Sequence, residues 1–178
     1  DAASGDGFGG SVAIDGDTIV IRGGEAAYVF RTTNGGATYG QVAKLTADDA
    51  ASGDGFGGSV AIDGDTVVVG ASGDDDAGSA SGSVYVFRTT DGGATYAQVA
   101  KLTAADAAAY DWFGISVAID GDRFLIGSYG DDDFGSDSGS AYVFALNPPF
   151  TAAPTHLPTR RTVSWPQLAK MVAGDAAA

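Results

Sequence analysis

The sequence predicts an all-β chain: three four-stranded antiparallel sheets set side by side, forming a ring that one chain does not close. Three observations lead there. Residues Asp1 to Ala13 read Asp-Ala-Ala-Ser-Gly-Asp-Gly-Phe-Gly-Gly-Ser-Val-Ala and return unchanged from Asp49 to Ala61. A third, altered copy begins at Asp106 and a further one at Asp175. Such self-similarity marks stacked supersecondary units, here 1–48, 49–105, 106–174 and the opening of another at 175–178. The second observation is an Asp-Gly dipeptide between two apolar runs in every unit, the mark of a hairpin. The third is the absence of any useful stretch with helical period, while 28 glycines suit many tight turns.

Unit two shows the elements in order. Ser59 to Asp63 is a first strand, and Asp63-Gly64 reads as a two-residue type I′ turn into Thr66-Val67-Val68-Val69. The turn recurs as Asp15-Gly16 and Asp120-Gly121. Unbroken apolar triplets, rather than strict alternation, predict strands covered on both faces, so that each sheet is sandwiched. Ser83 to Phe87 supplies a third strand, matched by Ala27 to Phe30 and Ala141 to Phe144. After Thr90-Asp91-Gly92-Gly93, the more polar Tyr96 to Leu102 reads as an outer edge strand. Lys44, Lys101 and Lys170 recur on that strand and read as solvated edge charges. Phe8, Phe56 and Phe113, with Tyr28, Tyr85 and Tyr142, read as packing between sheets.

The Phe-Gly before strand one, Gly70-Ala71-Ser72 after strand two, the Asp-Gly-Asp turn, Tyr-Val-Phe and Gln-Val-Ala-Lys-Leu recur in order over nearly the whole chain outside roughly 145–164. Together they resemble the FG-GAP repeat, the blade unit of integrin α-subunit β-propellers and of many surface proteins. The resemblance implies β-propeller-like blades in an extracellular or cell-surface module for interaction or adhesion. Two features depart from it. Integrin-type blades hold calcium in an Asp-rich loop between strands one and two, where this chain has only Asp-Gly. Unit one also lacks the loop between its second and third strands, around Arg22-Gly23-Gly24-Glu25. Propellers close with about 4 to 8 blades. Three units therefore call for further blades, for associated copies, or for an open arc against other proteins.

Composition narrows the function classes. The 44% hydrophobic content supports a packed core, and the net charge of −14 repels nucleic acid and anionic lipid. Glu25 is the lone glutamate among 23 acids, and an excess of Asp belongs to turns and oxygen-ligand loops. No cysteine means no disulfide framework or thiolate chemistry. No stretch is long and apolar enough to span a bilayer as a helix. The start at a repeat boundary is what a processed chain or a segment of a longer one would show.

The loop Gly73-Asp74-Asp75-Asp76 returns as Gly130-Asp131-Asp132-Asp133, followed by Asp137. Crowded carboxylates repel one another, and a hard cation with oxygen ligands, calcium first, would relieve that; the competing reading is a solvated turn. Asp49 with Asp54, and Asp106 with Asp111, read as turn chemistry before strand one. All five prolines fall between Pro148 and Pro166, and residues 147–164 form a Pro-rich basic insertion that breaks the repeat. A long loop of opposite charge is where specificity resides, which makes His156, Arg160 and Arg161 the candidate contacts to a protein or glycan. His156 is the lone histidine and lies in this insertion, so a Ser-His-acid triad would have to borrow its imidazole from a long loop, a His-ligated catalytic zinc is excluded by count, and the reading is non-catalytic. The alternatives are a structural subunit of a large assembly or filament, and an accessory propeller of a larger hydrolase.

Overall fold

The computed structural model describes residues 4–145 and 165–173. Among them there is no helix, and twelve strands form three four-stranded antiparallel sheets. Sheet one is β1 (Val12–Asp15), β2 (Thr18–Arg22), β3 (Ala27–Arg31) and β4 (Gly40–Leu45); sheet two is β5 (Ser59–Asp63), β6 (Thr66–Ala71), β7 (Ser83–Arg88) and β8 (Ala97–Leu102). Sheet three is β9 (Ser116–Asp120), β10 (Arg123–Ser128), β11 (Ser140–Ala145) and β12 (Gln167–Met171). Each is a simple meander, as the repeat predicts. The first strands touch in succession, β1 on β5 and β5 on β9.

The hairpin turns differ from the type I′ reading. Asp63 pairs with Thr66, so the two turn residues are Gly64 and Asp65. Only Gly64 has positive φ, at 52°, which is the type II′ pattern with glycine first. Asp63 is thereby the last strand residue and its carboxylate is free to reach sideways.

Alternation gives every sheet two unlike faces. In sheet two the aromatic face carries Val60, Ile62, Val67, Val69, Tyr85 and Phe87, and it packs on Val20 and Val29 of sheet one. The aliphatic face, with Val68, Val84, Val86 and Leu102, packs on Phe124, Ile126, Tyr142 and Phe144 of sheet three. Val67, Val68 and Val69 are all fully buried, each gaining about 1.5–3 kcal/mol. Full sandwiching holds only there. Among the described residues, three sheets in succession leave two end faces uncovered, so Ile14 in β1 is 68% and Leu125 in β10 is 45% exposed.

Polar locks repeat at both sheet-to-sheet boundaries. Gly64 N–H donates to Asp15 Oδ2 (2.7 Å), and Gly121 N–H donates to Asp63 in the same way. Val60 N–H donates to Ser11 Oγ, and Ser59 Oγ–H donates to the Gly114 carbonyl (2.7 Å). The loop after β6 also braces the lead-in to β9: Tyr110, Trp112 and Phe113 N–H donate to the carbonyls of Ser79, Ala80 and Ser81. Unit one lacks that loop, and the Glu25 carboxylate stands in, accepting from Phe56 N–H at 3.1 Å. Gly82 must be glycine, at φ +84°, because a Cβ there would collide with the Phe113 backbone.

Candidate functional site

Asp74 and Asp76 enter the loop after β6, while Asp49 lies in the lead-in to β5; the fold brings the three carboxylates together. They converge on Lys101, which β8 places across from Tyr85 of β7. Its Nζ lies 2.7 Å from Asp49 Oδ2, 3.0 Å from Asp74 Oδ2 and 2.6 Å from Asp76 Oδ2, and 5.2 Å from the Tyr85 ring centre. The Tyr85 hydroxyl sits within 2.8 Å of Asp49 Oδ1 and 2.9 Å of Asp74 Oδ2. Ser83 Oγ–H donates to Asp74 Oδ1, completing the satisfaction of this buried carboxylate. Unit three repeats the arrangement with Lys170 at 2.8, 2.7 and 2.5 Å from Asp106, Asp131 and Asp133, and with Tyr142 in place of Tyr85.

Lys101 and Lys170 are therefore not solvated edge charges. Their side chains are 18% and 16% exposed, and each ammonium occupies the position on which three acids converge. Among the described residues, unit one keeps the stacked pair alone, Lys44 Nζ 5.4 Å from the Tyr28 ring, and the loop that would supply two of the acids is missing. Of the other acids singled out in the sequence, Asp75 accepts from Ala80 N–H and Asp132 accepts from Asp137 N–H, turns that hold the loop closed. Asp137 itself stands in the left-handed region at φ +53°. Asp54 and Asp111 accept from the Ala51 and Ala108 amides, as turn chemistry predicts. His156, Arg160 and Arg161 lie outside the described residues.

The clusters fix the ionisation of their members. Burial raises the Asp74 carboxyl, but bonds from Lys101, the Asp76 amide, Tyr85 and Ser83 outweigh it, and the net shift is downward. Asp131 is lowered by the same balance around Lys170 and Tyr142. Burial depresses the Lys101 ammonium, and its bonds to Asp49, Asp76, Tyr85 and Asp74 turn that into a rise well above the usual lysine range. The Tyr85 phenol is pushed up by burial first, opposed by Lys101 and reinforced by Asp49 and Asp74.

The signs predict a pH profile. Lowered carboxyls contribute stability above their unfolded value of about 4, lost as pH falls through the folded value. Raised lysine and tyrosine groups contribute stability that is complete below about pH 10 and is lost as pH rises beyond it. Urea unfolding should therefore show a plateau between about pH 5 and pH 9, with a fall above about pH 10 that is smaller, and not abolished because Tyr85 and Tyr142 remain, in a Lys101→Met, Lys170→Met double variant. An equal alkaline loss in both proteins would refute the assignment.

Unit three differs from unit two at the loop end. Tyr110, Trp112, Tyr129 and Phe134 stand where unit two has Gly53, Gly55, Ser72 and Ala77. Trp112 stacks on Tyr129 with ring centres 4.6 Å apart, and Tyr110, Tyr129 and Phe134 are 59%, 52% and 72% exposed. Tyr110 and Trp112 keep the positive φ of the glycines they replace, +70° and +52°. The sequence reading missed this patch, although a comparison of the two units position by position carries the signal.

Comparison with known proteins bears on this geometry. The FG-GAP repeat family matches residues 39–87 and 96–144, more than half of the chain. The chain belongs to the FG-GAP repeat family. Each FG-GAP match begins beside the fourth strand of one sheet and ends in the third strand of the next, so it spans a sheet-to-sheet boundary. Among solved structures, Saccharomyces cerevisiae Sqt1, a WD40-type propeller, superposes on this FG-GAP chain with a TM-score of 0.53 at 13% identity. The superposition covers 94% of this chain and 35% of Sqt1, and shows the blade arrangement alone. No curated protein matches the sequence.

Proposed function

We propose that the protein is a non-catalytic interaction module of the extracellular space or cell surface, in which rigid blades carry the loops of unit three to a protein or glycan. The observation that carries this reading is the aromatic patch. Two large residues in the left-handed region cost about 1–2 kcal/mol each relative to glycine, and such strain persists where a site needs it. The patch is exposed and bordered by the acids of its own loop, a surface suited to stacking and to hydrogen-bond donors. The acids that could do proton-transfer chemistry are tied to lysines and turn amides, which favours a non-catalytic role.

Calcium enters this reading as a competitor. The three carboxylates of each cluster could hold an ion, and it would have to displace a lysine ammonium to do so. The lysine supplies one positive charge without a ligand's concentration dependence.

The test is a variant that gives unit three the residues of unit two: Tyr110→Gly, Trp112→Gly, Tyr129→Ser and Phe134→Ala. On arrays of glycans and of basic peptides, binding by the parent should disappear in this variant. Tyr110→Gly alone should raise stability by about 1 kcal/mol through relief of strain, while weakening binding. A parent that binds neither array, or a variant that binds as well as the parent, sinks the proposal.

A further inference from the structure

We propose that Asn34 is a self-modifying residue: the loop between β3 and β4 of unit one converts its side-chain amide into the carboxylate that the same loop already carries in unit two. The loop reads Thr32-Thr33-Asn34-Gly35-Gly36-Ala37-Thr38 in unit one and Thr89-Thr90-Asp91-Gly92-Gly93-Ala94-Thr95 in unit two, so the two differ at this position alone. Asn34 and Gly35 are exposed, and so are Asp91 and Gly92, whose sheet has a neighbour on each face. Access of water to this loop therefore does not depend on which sheets adjoin it.

The local chemistry is that of an activated amide. Gly35 has no side chain and stands at φ +68°. Its N–H donates to no acceptor among the described residues, whereas the N–H groups of Asn34 and Gly36 are both tied to Thr32 Oγ1. Asn34 Oδ1 accepts from the Thr32 hydroxyl at 2.8 Å and from the Thr38 N–H at 3.0 Å. Two donors on one carbonyl oxygen draw electrons from Cγ and stabilise the negative charge that develops there under attack. Asn34 Nδ2 donates to Thr38 Oγ1 at 2.8 Å, which places a hydroxyl where the leaving nitrogen must gain a proton.

The step balances without oxidant or cofactor. Hydroxide takes the proton of Gly35 N–H, the nitrogen bonds to Asn34 Cγ, and the Cγ–Nδ2 bond breaks as the nitrogen gains a proton and leaves as ammonia. Water then opens the five-membered imide. Opening at Cγ gives aspartate with the main chain intact; opening at the backbone carbonyl gives isoaspartate.

Unit two shows how the loop holds aspartate. Asp91 Oδ1 accepts from the Thr89 hydroxyl and from the Ala94 and Thr95 amides, and Oδ2 accepts from the Thr95 hydroxyl at 2.6 Å. Bonds from Thr95 first, then from Thr89 and Ala94, hold the Asp91 carboxyl well below the usual carboxylate range. In unit one the Thr38 hydroxyl must accept from an amide, whereas facing a carboxylate it would donate a charge-assisted bond. The product fits the loop better than the residue it replaces.

Peptide mapping of the folded 178-residue chain by mass spectrometry, during storage at mildly alkaline pH, tests this. The expected result is a gain of one mass unit at Asn34 that grows with time, with aspartate among the products. None is expected at the other asparagine, Asn147, because Pro148 has no N–H to attack with. Thr38→Val keeps the backbone donor and removes the hydroxyl; it should convert about tenfold more slowly than the parent when folded, and at the parent's rate in urea, where the loop is gone. Asn34→Asp should melt at a higher temperature than the parent above about pH 5, an advantage lost as pH falls through the folded carboxyl's range. A folded chain that keeps Asn34 while the urea-unfolded chain converts it overturns the proposal, because the loop then protects the amide. So does a folded Thr38→Val variant that converts as fast as the parent, an Asn34→Asp variant that melts below the parent, or isoaspartate as the sole product.

Discussion

Lys101→Met should lower the unfolding free energy by about 3 kcal/mol and create a calcium response that the parent lacks. The first effect comes from Asp74, whose side chain is 5% exposed and loses its cation while remaining too enclosed for water to replace it. Asp49 and Asp76, at 48% and 56%, are half in water and contribute little by themselves. The second effect follows from the geometry: with the ammonium gone, three carboxylates face one another and a divalent cation relieves the repulsion. Calcium should thus raise the melting temperature of Lys101→Met and leave that of the parent unchanged. Adding Asp74→Asn to Lys101→Met removes the stranded charge, and should restore part of the loss and abolish the calcium response. A parent stabilised by calcium would show that the ion, and not the lysine, is the resident cation.

The repeat made most of the fold legible, because identical strings must build identical strands. Ser59–Asp63 and the presence of a hairpin after it follow from the apolar run and the Asp-Gly, while the turn itself falls one residue later, at Gly64-Asp65. What alternation could not show is which sheets lack a neighbour. The triplets Ile19-Val20-Ile21 and Phe124-Leu125-Ile126 look as apolar as Val67-Val68-Val69, yet only the last is buried on both sides.

The acidic site was half legible. Asp74 and Asp76 stand out as a crowded loop, but Asp49 comes from the preceding connection, and only the fold carries it to them. The lysine was misread because its strand is polar and lies at a sheet edge, where lysines are ordinarily solvated. Its register is the signal: in every unit a lysine of strand four pairs with the tyrosine of strand three, Lys44 with Tyr28, Lys101 with Tyr85 and Lys170 with Tyr142. A tyrosine flanked by aspartates in the folded unit needs a cation beside it, and the chain supplies one.

Phe56→Ala should cost about 4 kcal/mol, while Phe8→Ala, the same substitution in the same thirteen-residue string, should cost about 1 kcal/mol or less in dilute solution. Both rings meet the same partners within their own sheet. Phe56 lies 5.5 Å from Tyr85 and 6.0 Å from Phe87; Phe8 lies 5.9 Å from Tyr28 and 6.3 Å from Phe30. The intrasheet contribution therefore cancels in the comparison. What remains is the cover that sheet one lays over Phe56, including the Glu25 carboxylate on its amide, and that Phe8 lacks among the described residues. Urea unfolding at low protein concentration measures this difference directly, as the energy that one blade contributes to burying the next. Equal costs at low concentration would show that neighbour burial does not set the energy of this position.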